Sequence, residues 1–314
     1  MRGMARKLRV EYPGAIYHVM NRGDRREAIF KNDADRLLFL ETLGQACAKT
    51  GWQVHTYCMM PNHFHLVVET PQANLVTGMK WFLGTYTSRF NRRHKLFGHL
   101  FSGRYKSLIV DGSGSGYLKT VCDYVHLNPA RAKLVEPKRS LREYRWSSWA
   151  EYLKPPQRRP GWLRVERLFG EYGVQKESAA GRRRLEEALE SRRGAEEGEA
   201  FQPLRRGWYL GGQTFKEELL AQMSKPVGRW HYGEAVQASA EASAERLVRE
   251  ELAKRKWDET ALASRPKGDA GKLALAGRLR RETTMTLGWI AARLQMGTPG
   301  HLSHLLYWQR RGEK

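Results

Sequence analysis

The feature that most constrains the fold of this chain is the order in which hydrophobic period changes along its first 154 residues. Ala15-Ile16-Tyr17-His18-Val19-Met20 reads as a strand, closed by Asn21-Arg22-Gly23-Asp24. From Asp33 to Thr50, Leu37, Leu38, Leu40, Leu43 and Cys47 recur at helical spacing, with Gly51 as the stop. Trp52 to Met59 is a second strand, Pro61-Asn62 a turn, and His63 to Thr70 a third strand. A helix from Leu75 to His94 follows, with Met79, Phe82, Leu83, Tyr86 and Phe90 on one face. Lys106 to Asp111 is a fourth strand, and Gly112-Ser113-Gly114-Ser115-Gly116 a flexible loop. Tyr117 to Leu127 is a helix that Pro129 bounds. The order βαββαβ plus one helix predicts an α+β domain of ferredoxin-like type: a four-stranded antiparallel sheet, helices on one face, the His63 strand mid-sheet.

The domain expected from this pattern spans 1–153. Lys154-Pro155-Pro156-Gln157-Arg158-Arg159-Pro160-Gly161 opens a linker and charged helical segment over 154–205, in which Gly181 to Glu199 is an exposed helix or a disordered connection. The rest, 206–314, is a helical extension, with a helix at Ala235 to Lys256. Near 285–308, Thr286 to Leu294 and Thr298 to Leu306 are two short helices around a tight connection, with small Ala291 where they cross. That pattern predicts a helix-turn-helix; the position that often holds glycine is Gln295.

Charge narrows the partner. Lys plus Arg number 55 against 33 Asp plus Glu, a formal charge of +22. Residues 1–154 hold 25 basic and 12 acidic side chains and the remainder 30 and 21, so the excess is not one basic tail. A polyanion is expected, and nucleic acid is the commonest. No run of 18 apolar residues occurs, so no membrane span is expected. The charged start Met1 to Lys7 has no apolar segment behind it and is not read as a secretion signal. Cys47, Cys58 and Cys122 are odd in number and lack CxxC spacing, which points to a reducing cytoplasm, with nucleoid association if DNA is bound.

His63-Phe64-His65 is the sharpest local motif. Strand side chains alternate, so both histidines face one way, roughly 6.5–7 Å apart along the strand, and suit one divalent cation. A zinc site that adds Cys58 or His55 is an alternative. In Tyr124-Val125-His126-Leu127-Asn128, Tyr124 and Asn128 share a helical face. A phenol is a candidate nucleophile, and an amide oxygen suits Mg²⁺ or Mn²⁺. Tyr117, seven residues earlier, is a rival without a polar partner at Val121.

These motifs resemble the HUH single-tyrosine transposases, the insertion-sequence-200-like group, and within it the REP-associated tyrosine transposases. The resemblance rests on Gly14 to Val19 with Asn21-Arg22-Gly23, Met60-Pro61-Asn62-His63-Phe64-His65-Leu66, and Tyr86 with Phe90 to His94. It continues through Gly98 to Phe101, Gly103 to Lys106, Tyr124 to Pro129 and Arg145-Trp146-Ser147-Ser148, and more weakly at Gly207 to Gly211. It implies single-stranded DNA as partner, with hairpin or palindromic elements, and a protein acting as monomer or homodimer. It implies His63, His65 and Asn128 as ligands of Mg²⁺ or Mn²⁺. Tyr124 is then the nucleophile that leaves a 5′-phosphotyrosine and a free 3′-OH. Free imidazoles would lose the metal on acidification through roughly pH 6–6.5. Candidate DNA contacts are Asn21, Arg22, Arg25, Arg89, Arg92, Arg93, Arg104, Lys106, Arg131 and Lys133, with Tyr105 and Trp146 stacking on bases. A DNA-binding protein without turnover is the competing reading.

Overall fold

The computed structural model describes residues 10–193, 201, 204, 207–224 and 232–312. The readings of Met1 to Lys7 and of 194–199 lie outside them.

Strand β1 (Ala15–Arg22) leads through a 3₁₀ turn to helix α1 (Asp33–Thr50), then β2 (Gln53–Met60), β3 (His63–Thr70), α2 (Leu75–His94), β4 (Lys106–Val110) and α3 (Tyr117–Arg131). Asn32 starts α1 with a reciprocal capping box to Asp35, and Gly51, at φ 72°, ends it in the left-handed region. The first four strands pair antiparallel in the order β2-β3-β1-β4. A fifth strand, β5 (Tyr209–Leu210), pairs parallel with β4, so the sheet is five-stranded and mixed rather than four-stranded and antiparallel. Nothing local marks two residues as a strand; β5 forms because the β4 edge is open to it.

The helices are not all on one face. Phe64 meets Phe39 of α1 and Phe82 of α2, whereas His65, its neighbour in β3, meets Tyr124 of α3. Strand alternation thus puts α1 and α2 on one side and α3 on the other. Pro129 does not end α3. The helix runs on to Arg131, and the peptide donors of Ala132 and Leu134 reach the carbonyls of Asn128 and Pro129. Asn128 therefore stays helical, one turn beyond Tyr124.

The expected linker packs instead of spacing. After the short α4 (Trp149–Tyr152), helices α5 (Glu166–Glu171) and α6 (Ala179–Glu190) send Leu168, Phe169, Leu185 and Leu189 into the same core as the sheet. Two apolar residues in α6 four apart suffice to bury one face of a charged helix. A second, separate core joins Ala244, Val248, Leu252, Leu275, Leu279, Ile290 and Leu302, from helices Tyr232–Arg255, Ala270–Glu282, Leu287–Arg293 and Pro299–Gly312. Between the last two helices Gln295 sits at φ 52° and Gly297 at φ 85°. The left-handed turn falls on both, which is how glutamine occupies the expected glycine place. No helix among the described residues is long and apolar enough to cross a membrane.

Candidate active site

Four aromatic rings gather on the α3 face of the sheet. β3 supplies His63 and His65, with ring centroids 5.1 Å apart, and α3 supplies Tyr124, 5.8 Å from His65. The fourth is His18 of β1, end to end with His65 at a centroid distance of 5.2 Å and nearly coplanar with it, and edge-on to Tyr124 at 5.8 Å. Met20 is the register partner of His65, so His18, two residues before it, shares its face. Strand alternation places His18 there once β1 and β3 pair, whereas the sequence alone marks it only as a strand residue.

Both β3 histidines have Nδ1 engaged. His63 Nδ1 lies 2.8 Å from Asn62 Oδ1. Asn62 Nδ2 donates to the Arg26 carbonyl at 3.0 Å, which fixes the amide so that its oxygen faces His63. An amide oxygen only accepts, so the neutral His63 carries its proton on Nδ1 and its lone pair on Nε2. His65 Nδ1 lies 2.9 Å from His18 Nε2. Burial, with the charge of Arg22 adding, lowers the His63 pKa to about 4, and burial lowers His18 to about 4. Burial and then the neighbouring imidazoles and arginines push His65 well below its usual value. All three are neutral near pH 7.

Asn128 is buried, and its Nδ2 has no partner among the described residues. A half-turn of the amide exchanges oxygen for nitrogen there, so a buried acceptor is available one helical turn beyond Tyr124. This donor set fits a hard divalent cation with mixed N/O ligands. Among the described residues no group of three or more His, Cys, Asp or Glu is placed to hold a metal. The alternative zinc ligands are committed elsewhere: His55 meets Glu69 at 3.1 Å and Cys58 donates to Met60 Sδ.

Tyr124 is 7% exposed. The Arg131 guanidinium lies 4.0 Å from its ring centroid, and Phe201 packs on it at 5.6 Å. Arg131, expected on phosphate, thus also clamps the tyrosine. Phe201 had no local signal, because its contact depends on the chain returning from beyond α6. Next to Tyr124 on α3, buried Asp123 accepts from Tyr172 at 2.6 Å and from Lys119 at 3.2 Å, and pairs with Arg192. The residues just after α5 and α6 thereby hold α3 despite the glycine-rich loop before it. The rival Tyr117 lies at the other end of α3, its hydroxyl beside Gly212.

The expected DNA contacts divide. Arg22, Arg25, Arg92, Arg104, Lys106 and Lys133 are exposed, and Arg22 is the register partner of His63. Arg89 is turned onto α1, donating to Thr42 and Gln45 at 2.8 Å, and Arg93 pairs with Asp35 at 3.1 Å. Asn21 is buried, with Oδ1 accepting from the Arg22 peptide. Tyr105 and Trp146 are buried, and the Trp146 ring has the guanidinium groups of Arg36 at 5.2 Å and Arg145 at 4.6 Å from its centroid.

Residues 11–128 match the family described as Transposase IS200 like, a stretch that includes His63, His65 and Tyr124 and ends on Asn128. A solved structure described as "Structure of the REP associates tyrosine transposase bound to a REP hairpin" is similar to the chain at 12% identity and TM-score 0.41, covering 56% of this chain and 96% of that one. Comparison with curated protein sequences returns no match.

Proposed function

We propose that this chain is a single-strand DNA endonuclease and strand transferase working through a covalent 5′-phosphotyrosine. The observation that carries the reading is the Tyr124 ring 5.8 Å from His65, on the face of β3 that also bears His63. The Tyr124 hydroxyl loses its proton as its oxygen attacks phosphorus. The Tyr–O–P bond forms, the P–O3′ bond breaks, and the 3′ oxygen takes up a proton. The phosphotyrosine is again a phosphodiester, so the 3′-OH can reverse the step without an external energy source. His63 and His65 through Nε2, and Asn128 through its amide oxygen, would hold Mg²⁺ or Mn²⁺, which neutralises charge on the phosphate. Arg22 and Arg131 flank that position and would bind the neighbouring backbone. Unpaired DNA beside a hairpin is the proposed substrate, because an exposed scissile phosphate must reach the largely buried Tyr124.

The helices Leu287–Arg293 and Pro299–Gly312 are proposed as a helix-turn-helix. The second exposes His301, Ser303, His304, Tyr307 and Trp308, a polar and aromatic edge suited to a major groove. One observation favours the competing reading, a binder without turnover: Phe201 covers Tyr124. A labelled single-stranded oligonucleotide carrying a hairpin separates the two. The enzyme reading expects a metal-dependent, denaturation-resistant protein–DNA band. Binding to the same DNA with no such band, in either metal, overturns it.

A further inference from the structure

The two β3 histidines differ in how their ring protons are set. Asn62 can only accept from His63 Nδ1, and its own donor bond to the Arg26 carbonyl keeps it turned that way. His65 faces a partner that can do either. His18 Nε2 and His65 Nδ1 lie 2.9 Å apart, and one of the two carries the shared proton. If His65 Nδ1 donates, His65 Nε2 is a free lone pair and His18 carries its proton on Nδ1. If His18 Nε2 donates, the neutral His65 must carry its proton on Nε2 and cannot ligate through that atom.

We propose that His18 is the positioning residue for His65: it accepts the Nδ1 proton, fixes the ring parallel to its own, and so presents Nε2 of His65 as a lone pair on the same side as Nε2 of His63. This inference rests on the metal-assisted reading above. Three further observations support it. His18 is 3% exposed, so water does not compete for the bond. The two imidazoles lie end to end within 17° of coplanar, with the 2.9 Å nitrogen contact between them, so turning the His65 ring would break that bond. His18 also touches the Tyr124 ring edge-on, which ties the nucleophile and the ligand to one side chain. Asn62 and His18 are then counterparts, one acceptor for each β3 histidine. Outer partners of this kind typically contribute 10–100-fold in metal affinity.

The test begins with the metal-free, unsubstituted full chain. Nitrogen-15 NMR of its histidines near pH 7 reports which ring nitrogen of His65 is protonated. The Nδ1–H form is expected, as for His63; the Nε2–H form overturns the proposal whether or not the protein cleaves DNA. Two variants follow. His18→Phe keeps a ring but offers no acceptor, and His18→Gln places an amide oxygen near the Nε2 position. Mn²⁺ titration should show about 10–100-fold weaker binding in His18→Phe and recovery of most of it in His18→Gln. Native Mn²⁺ affinity in a folded His18→Phe overturns the proposal. If His18→Phe does not fold, the NMR result alone decides. Failure of the unsubstituted protein to bind Mn²⁺ would remove the metal-assisted reading, while the proton position on His65 still tests the His18 contact.

Discussion

The core beneath the sheet and the core of the C-terminal helices bury polar groups in opposite ways. In the second, the fully buried Lys272 donates to the carbonyls of Leu262, Arg265 and Gln295 at 2.9, 3.3 and 3.2 Å. Its three donors meet three acceptors, a purely structural solution. The first core buries His18, His55, His65, Asp123, His126 and Asn128, and leaves Asn21 Nδ2, His55 Nδ1, His126 Nδ1 and Asn128 Nδ2 without partners. No unpartnered buried side-chain atom falls in the second core among the described residues. Unpaired buried polarity costs about 1–3 kcal/mol per group, so its presence in the first core, Asn128 of α3 included, marks where packing yields to chemistry.

The sharpest way to break this division is truncation. A fragment ending at Leu153 holds every candidate catalytic residue but loses Leu168, Phe169, Leu185 and Leu189, and strips Tyr172 and Arg192 from buried Asp123. It should not fold, whereas a fragment ending at Ser224 should melt cooperatively and retain adduct formation. Circular dichroism decides; a cooperative melt of the shorter fragment would show that the first core closes before α5. Next in size is Leu279→Ala, fully buried in the second core. It should destabilise the C-terminal helices by about 2–5 kcal/mol, read by hydrogen exchange, with adduct formation unchanged.

Acid should separate the cores again. Burial lowers His18 to about 4 and His126 to about 3, so both stay neutral in the fold while the unfolded chain protonates below about 6.5. The unfolded state therefore binds more protons between those values, and stability falls as pH drops through that window. The loss is about 1.4 kcal/mol per histidine one unit below the unfolded pKa. His301 and His304 are exposed, so the second core lacks this sensitivity. Thermal melts at pH 7 and 5.5, followed by hydrogen exchange in each core, check it; equal losses in both would contradict it. The smallest effect belongs to the contact between the two units. Lys49 of α1 donates to the carbonyls of Arg281 and Thr283 at 3.0 Å, and to Arg280, at the end of helix Ala270–Glu282. Lys49→Met should cost under about 1 kcal/mol. Its signature is faster exchange in that last turn, and unchanged exchange there would remove Lys49 from the interface.

Most of the first unit could be read from period and punctuation. β3 and α2 run over the expected residues, and α1 ends at Gly51, because each has a strong repeat and a local stop. The facing of Tyr124 and Asn128 followed from helical spacing, and survives because Pro129 is accommodated inside α3. What escaped depends on distant chain. β5 has two residues, α6 shows only Leu185 and Leu189 among charges, and Phe201 reaches Tyr124 from the chain between them. His18 and Asn62 were visible as residues, but their roles appear only when ring nitrogens are placed within hydrogen-bond distance.

The central claim is that Tyr124 attacks phosphorus. Tyr124→Phe removes one oxygen and keeps the ring between Arg131 and Phe201, so folding and DNA binding should persist. The measurement is the denaturation-resistant band on labelled single-stranded hairpin DNA with Mg²⁺ or Mn²⁺, comparing the unsubstituted protein, Tyr124→Phe and Tyr117→Phe. The account predicts the band in the first and third and none in the second. A band that persists in Tyr124→Phe and vanishes in Tyr117→Phe would contradict it.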